Sequence, residues 1–113
     1  MKLKTSELQG AALDWAVAKC EGIEVRQVEG VLVDPLGLQF SPSIDWSYGG
    51  MVIEREKITL DVWGDEWLAT RIEDPAISEA IAPTPLVAAM RCYVVSQLGD
   101  EVEVPDELKG GEL

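Results

Sequence analysis

Wound as a helix, residues 8–20 are apolar on nearly every side, and that constrains the whole fold. Leu8, Ala12, Trp15 and Ala16 share one face at helical spacing, while Ala11, Leu13, Val17 and Ala18 cover much of the rest. The small side chains permit close approach, so the segment predicts a buried layer element, not a surface helix. Ser6 followed by Gln9 fits a capping box at its start. Gly22 offers a left-handed stop after Cys20.

The elements that cover this helix are written in shorter patterns. Residues 23–28 alternate with period two, Glu29-Gly30 is a tight turn, and residues 31–33 can pair back as a hairpin. Asp34-Pro35-Leu36-Gly37 is turn chemistry. Ser41-Pro42-Ser43 reads as a helix start. That helix either continues through Ile44, Tyr48, Met51 and Val52 or breaks at Gly49-Gly50. Residues 58–63 and 67–72 alternate about a three-residue loop, Gly64-Asp65-Glu66. This register pairs Trp63 with Trp67. It puts Ile58, Leu60, Val62, Leu68 and Ile72 on one face and both tryptophans, Thr59 and Arg71 on the other. Residues 73–83 read as a connector. Thr84-Pro85 opens a last helix with an apolar stripe of Val87, Met90, Val94 and Leu98, ending before Gly99.

Helix, hairpin, helix, hairpin, helix in one short chain predicts an α+β fold, a mostly antiparallel sheet covered by helices. A chain of 113 residues supports one domain, placed here at 1–104. The last fourteen residues hold six acids and one lysine. Residues 105–113 therefore read as a flexible acidic tail, and removing the residues after Asp106 is expected to leave stability unchanged.

Charge and composition exclude several function classes. Nine Lys and Arg face 21 Asp and Glu, a net charge of −12. Such a surface repels a phosphate backbone, so general nucleic-acid binding is not expected. No apolar run approaches the roughly 20 residues that cross a bilayer. Lys2 and Lys4 precede Thr5-Ser6-Glu7, not the apolar core of a signal peptide, so the expected location is the cytoplasm. There is no histidine, which removes Ser-His-Asp and Cys-His catalysis and the usual zinc sites. Cys20 and Cys92 read as buried thiols. Asp14, Asp45 and Asp61 sit on three elements, but no metal-ligand spacing supports a metal-dependent hydrolase, which stays a long shot. No catalytic residue, metal or cofactor is assigned.

Three phrases carry a resemblance. They are Leu8-Gln9-Gly10-Ala11-Ala12-Leu13-Asp14-Trp15-Ala16-Val17-Ala18, Phe40-Ser41-Pro42-Ser43-Ile44-Asp45-Trp46, and Pro83-Thr84-Pro85-Leu86-Val87-Ala88-Ala89-Met90-Arg91-Cys92-Tyr93-Val94, with Asp100-Glu101-Val102-Glu103-Val104-Pro105 beyond them. In this order they resemble the phage NinX family, small proteins of tailed phages and prophages of enteric bacteria. The resemblance covers nearly the whole chain. It implies an α-β-α sandwich and a place in the bacterial host's cytoplasm, and no established reaction. Ile44 departs from the family's threonine. Met51 stands where a proline is common, which leaves the helix start after Gly50 open.

Two candidate sites emerge from the residues. Thr84 caps a helix whose amino end favours anions. Arg91 lies two turns on along the same face and can reach back toward it, with Ala88 leaving room between. A phosphate or carboxylate could bridge Thr84 and Arg91. Against this, Arg91 can pair with Asp14 or Asp45 to fix helix packing, and that is the favoured reading, with Asp45 first. The second cluster is Ser41, Ser43, Asp45, Trp46 and Tyr48, where an aromatic face and an acid could hold a base or sugar. Against it, Ser-Pro-Ser is ordinary cap-and-turn chemistry around a core tryptophan.

The expected function is a non-enzymatic phage accessory protein. One reading binds a small anionic or nucleotide-like ligand through Thr84, Arg91, Ser43, Asp45 and Trp46, as a counter-defence protein sequestering a signal. That reading needs basic residues, and Arg26, Arg55, Arg71 and Arg91 are the ones to converge, within one chain or across a homo-oligomer. The alternative is an acidic interaction module or DNA mimic that binds a host or phage protein.

Overall fold

The computed structural model describes residues 1–109. Strand β1 (Lys2–Lys4) leads through a 3-10 turn into helix α1 (Gly10–Glu21). The hairpin β2 (Arg26–Val28) and β3 (Val31–Val33) comes next, then helix α2 (Trp46–Glu56). Strands β4 (Thr59–Trp63), β5 (Glu66–Glu73) and β6 (Ala76–Ala82) form an antiparallel sheet in that order. Helix α3 (Pro85–Leu98), strand β7 (Glu101–Glu103) and the short helix α4 (Asp106–Lys109) complete the described residues. β7 pairs with β1, antiparallel. The fold is α+β, as expected, with three separate antiparallel sheets.

Local chemistry explains most boundaries. α1 stops at Gly22, whose φ of 72° is the left-handed cap that glycine takes without strain. Its start moves from Ser6 to Gln9, because residues 5–7 form their own 3-10 turn. Val28 pairs with Val31 across Glu29-Gly30, both at positive φ, the mirror-image turn that matches strand twist. Asp45, not Ser41 or Ser43, caps α2, its carboxylate accepting the Ser47 amide at 2.9 Å. Thr84 caps α3 as expected, accepting the Val87 amide at 3.2 Å.

α2 runs unbroken through Gly49-Gly50. A Cβ on Gly49 would lie 2.6 Å from the Pro42 carbonyl oxygen and 2.5 Å from Leu86 Cδ2. The glycine lets α2 approach the preceding loop and the start of α3 together, which outweighs its cost of about 1 kcal/mol in helix propensity.

α3 is the centre of the molecule. Leu86 and all seven residues from 88 to 94 are buried, so the expected stripe becomes a helix covered nearly all round. One flank packs on β5 and β6, and the others on α1 and α2. Ala69 and Ala82 on the sheet, Ala88 and Ala89 on α3, and Ala12 and Ala16 on α1 are inaccessible to solvent.

Three expectations are corrected. Residues 76–82 are not part of a connector but strand β6, paired along β5 from Trp67↔Ala82 to Glu73↔Ala76. Alanine, serine and glutamate are poor strand formers, which hid it. The β4–β5 hairpin has a two-residue loop, Gly64-Asp65, so Trp63 pairs with Glu66 and Val62 with Trp67. Gly64 sits first in the loop at φ 63°, as a type II′ turn asks. The Trp63–Trp67 register is therefore wrong. Leu60, Trp67, Ala69 and Arg71 share the inner face, while Trp63, Leu68 and Ile72 turn outward.

The third correction concerns the tail. Val104 is 1% exposed and Leu108 is 2% exposed, both within the main core. The Val104 amide donates to the Met1 carbonyl at 2.8 Å, and α4 packs on α1. The domain thus extends past 104, through Leu108 at least. Residues 110–113, also assigned to the tail, lie outside the described residues. Leu108→Ala is expected to lower stability by about 2–4 kcal/mol, as a buried leucine truncation does. Urea denaturation of the variant checks this, and an unchanged midpoint would restore the free tail.

Candidate functional site

The three shared phrases meet at the junction of α1, α2 and α3. Asp14, on the buried face of α1, accepts the Ser43 amide at 2.8 Å. Pro42 is fully buried beside it, and its carbonyl faces Gly49. Gly49 in turn meets Leu86 of the third phrase. Phe40 stacks edge-on to Tyr48 with ring centroids 5.0 Å apart. These contacts account for much of the three phrases as packing.

The expected site residues do not form one pocket. Ser43 is buried against Asp14. Asp45 is an exposed cap, engaged with Ser47. Trp46 is 54% exposed on the first turn of α2, not in the core. Thr84 is exposed at the start of α3, its hydroxyl accepting from Val87. Arg91 is buried, and neither Asp14 nor Asp45 is its partner. Its Nε donates to the Leu8 carbonyl at 2.7 Å and its Nη1 to the Ile81 carbonyl at 2.9 Å. Burial lowers its pKa, offset in part by the charges of Glu66 and Glu7. Arg91 thus ties the turn before α1 and the end of β6 onto α3.

Two of the other arginines, Arg55 and Arg71, converge elsewhere, whereas Arg26 stands exposed on β2. Glu21, at the end of α1, accepts from Tyr48 at 2.8 Å, from Tyr93, and from both terminal nitrogens of Arg55 at 3.1 and 2.6 Å. Arg55 also pairs with Glu56 at 2.7 Å. Glu56 pairs with Arg71 at 2.8 Å, and Arg71 with Glu73 at 2.8 Å. This chain of alternating charge joins α1, α2, α3 and β5. Sequence reasoning missed it, since its members are scattered from residue 21 to 93 in no motif. The only available signal was the scarcity of cations among so many acids.

Two acids of α1 therefore titrate in opposite directions. Burial pushes Asp14 up from 3.8 to about 6, against the opposing pull of the Ser43 amide and hydroxyl. Burial also pushes Glu21 up, but the bonds from Arg55, Tyr93 and Tyr48 together outweigh it and hold the carboxyl below its ordinary value. Burial raises the thiols too, Cys20 to about 12 and Cys92 to about 11. Neither is a ready thiolate nucleophile. Among the described residues no group of three or more His, Cys, Asp or Glu could hold a metal ion. Asp14, Asp45 and Asp61 are not gathered into such a group.

A groove of about 640 Å³ lies where Trp15, Lys19 and Leu98 face the segment 101–106. Lys19 stands over the Trp15 ring, 5.5 Å from its centroid. Glu101, Glu103 and Asp106 also line this groove, which makes it a poor seat for an anion. A smaller cleft of about 240 Å³ runs from Gly10 and Asp14 to Ser41 and Ser43, with no cationic side chain in its lining.

The most unusual surface is the outer face of the β4–β5–β6 sheet. Trp63 is 57% exposed, Ile72 68%, Ile77 63% and Ile81 39%. Ile72 pairs with Ile77, and Leu68 with Ile81, so these side chains are cross-strand neighbours. Asp61, Glu66 and Glu79 share that face by register, and no Lys or Arg does.

Arg91→Ala is expected to cost roughly 2–4 kcal/mol by stranding two carbonyls and leaving a cavity. Arg91→Lys should recover only part, because one ammonium cannot reproduce the two-pronged geometry. Thermal or urea melts measure both, and a wild-type midpoint for Arg91→Ala would refute the structural role.

A second expectation concerns pH. The folded chain holds the Asp14 proton more tightly than the unfolded chain. Its contribution is therefore full below 3.8 and is lost as pH rises through about 6, on the order of 3 kcal/mol. Glu21 works in reverse, stabilising above its unfolded pKa and losing that as pH falls through its lower folded value. Asp14→Asn should remove the loss between pH 4 and 6. Urea midpoints across that range test it, and parallel profiles for the two proteins would contradict it.

Comparison with known proteins adds one finding. A search among curated proteins gives no match. The family model described as Bacteriophage P22, NinX matches residues 4–97. That span takes in α1, the Ser41-Pro42-Ser43 loop and nearly all of α3, and the chain belongs to this NinX family of phage proteins.

Proposed function

We propose that this NinX-family protein acts by binding another protein, host or phage, and not by catalysis. The observation that carries the reading is the outer sheet face, where five large apolar side chains share one surface and four of them are exposed. Contiguous apolar patches rimmed by polar residues mark interaction sites on soluble proteins. The rest of the molecule is consistent with this. Burial holds both cysteines as thiols.

The anionic-ligand reading, including sequestration of a nucleotide signal in counter-defence, retains one support. Thr84 stands exposed at the amino end of a 14-residue helix. The geometry weighs against it, because Arg91 is committed to two carbonyls and Arg55 and Arg71 to carboxylates. The DNA-mimic reading needs an ordered array of carboxylates, whereas Glu21, Glu56 and Glu73 are engaged by arginines.

Affinity purification of the tagged protein from infected cells, followed by native mass spectrometry, tests the choice. The expected result is one protein retained in fixed ratio by the wild type and lost by Ile72→Ser/Ile77→Ser. Retention of a small anion that this double variant keeps would favour the ligand reading instead.

A further inference from the structure

Among the described residues, a helix covers the sheet β4–β5–β6 on one side only. α3, 14 residues long, lies across the inner face of β5 and β6, on Ala69, Ala80 and Ala82. The outer face has the same outline. Three strands about 4.8 Å apart and up to eight residues long span roughly 14 by 27 Å. One α-helix about 10 Å across and 16 residues long covers that area. The apolar side chains Trp63, Leu68, Ile72, Ile77 and Ile81 lie across it, and among the described strand residues Asp61, Glu66 and Glu79 are the charges that share it by register.

We infer that this face docks a cationic amphipathic helix of the partner protein, with an apolar stripe on the isoleucines and Lys or Arg opposite the acids. The inference rests on the protein-binding reading above and names its partner's chemistry. A second copy of this chain is the natural competitor, and electrostatics disfavour it. Two such faces would bring acids against acids with no cation to answer them, between molecules that each carry −12. An added strand would use the free edge of β4 or β6, which leaves the apolar face uncovered. A helix satisfies its own backbone and presents a stripe, which is what a sheet face needs.

The test uses a synthetic 16-residue peptide with leucines at i, i+3, i+4 and i+7 spacing and lysines on its flanks. One control replaces every lysine with glutamate. Another shuffles the same composition so that the stripe is lost. Amide chemical shifts of the full-length protein are followed during titration. The expected perturbations fall on β4, β5 and β6, centred on Trp63, Leu68, Ile72, Ile77 and Ile81. Binding should weaken at least tenfold in Ile72→Ser/Ile77→Ser, whose melting temperature should stay at the wild-type value because both side chains are largely exposed. It should weaken severalfold in Asp61→Asn/Glu79→Gln and with added salt. Equal binding of the shuffled or glutamate peptide overturns the inference. So do perturbations centred on Glu101 and Glu103, or dimerisation of the free protein through this face in sedimentation. If the infected-cell partner still depends on Ile72 and Ile77 while the lysine peptide does not bind, the partner's chemistry is wrong and the protein-binding reading survives.

Discussion

Everything in this fold is arranged around a helix that has almost no free side. Leu86 and residues 88–94 of α3 are buried, so the sheet, α1 and α2 must close around it from different directions. Close approach depends on small residues at the contacts. Ala88 and Ala89 admit the neighbouring elements, Ala69 and Ala82 lower the sheet surface, and Gly49 lets α2 come down on Leu86. A side chain larger by even one methyl group at Gly49 would meet a main-chain oxygen as well as a leucine, and main chain yields less readily than a side-chain tip.

Burying a helix so completely forces decisions about its polar members. Arg91 sits within the buried run and finds carbonyls instead of a carboxylate. Both carbonyls come from places where the backbone has acceptors to spare. Leu8 lies between the 3-10 turn and α1, and Ile81 lies on β6, an edge strand. Tyr93, two residues on, sends its hydroxyl to Glu21. α1 therefore carries two carboxylates with opposite fates. Asp14 has one amide and one hydroxyl for company and its charge is disfavoured. Glu21 has two phenols and a guanidinium, and its charge is held. Environment, not residue type, separates them.

What the sequence discloses here tracks the range of the interactions involved. The stop of α1 at Gly22, the turn Glu29-Gly30 and the Thr84 cap are decided within a few residues, and each is legible in order along the chain. The α+β class follows from them. β1 and β7 are not legible, because each is three residues long and exists only through a partner about a hundred positions away. β6 is hidden by its alanines and glutamate, which look like connector but fit a strand lying under a close-packed helix. The hairpin register fails for a local reason that was available. Glycine first in the loop signals a two-residue type II′ turn, whereas a three-residue loop gathers the aliphatics on one face and so points elsewhere. Of the candidate site, the Thr84 cap was legible, whereas Arg91's acceptors were not, since carbonyls leave no mark in a sequence.

The register has consequences for the surface, because a shift of one residue changes which face is apolar. In the expected pairing the aliphatics gather on one face and both tryptophans on the other, which reads as a sheet with one inner side. In the observed pairing Trp67 goes inward with Ala69, and Trp63, Leu68 and Ile72 go outward, where β6 adds Ile77 and Ile81. The sheet then has two apolar sides and a single covering helix. Family resemblance implied an α-β-α sandwich, and around this sheet the described chain supplies only the first α and the β. A protein carrying −12 commits Arg55, Arg71 and Arg91 to Glu21, Glu56, Glu73 and two carbonyls. The outer face of its sheet carries acids and no cation at the outward positions of β4, β5 and β6. Burying that surface against another acidic molecule would add repulsion to whatever area was gained. The complement it lacks is apolar on one side and positive at the margins.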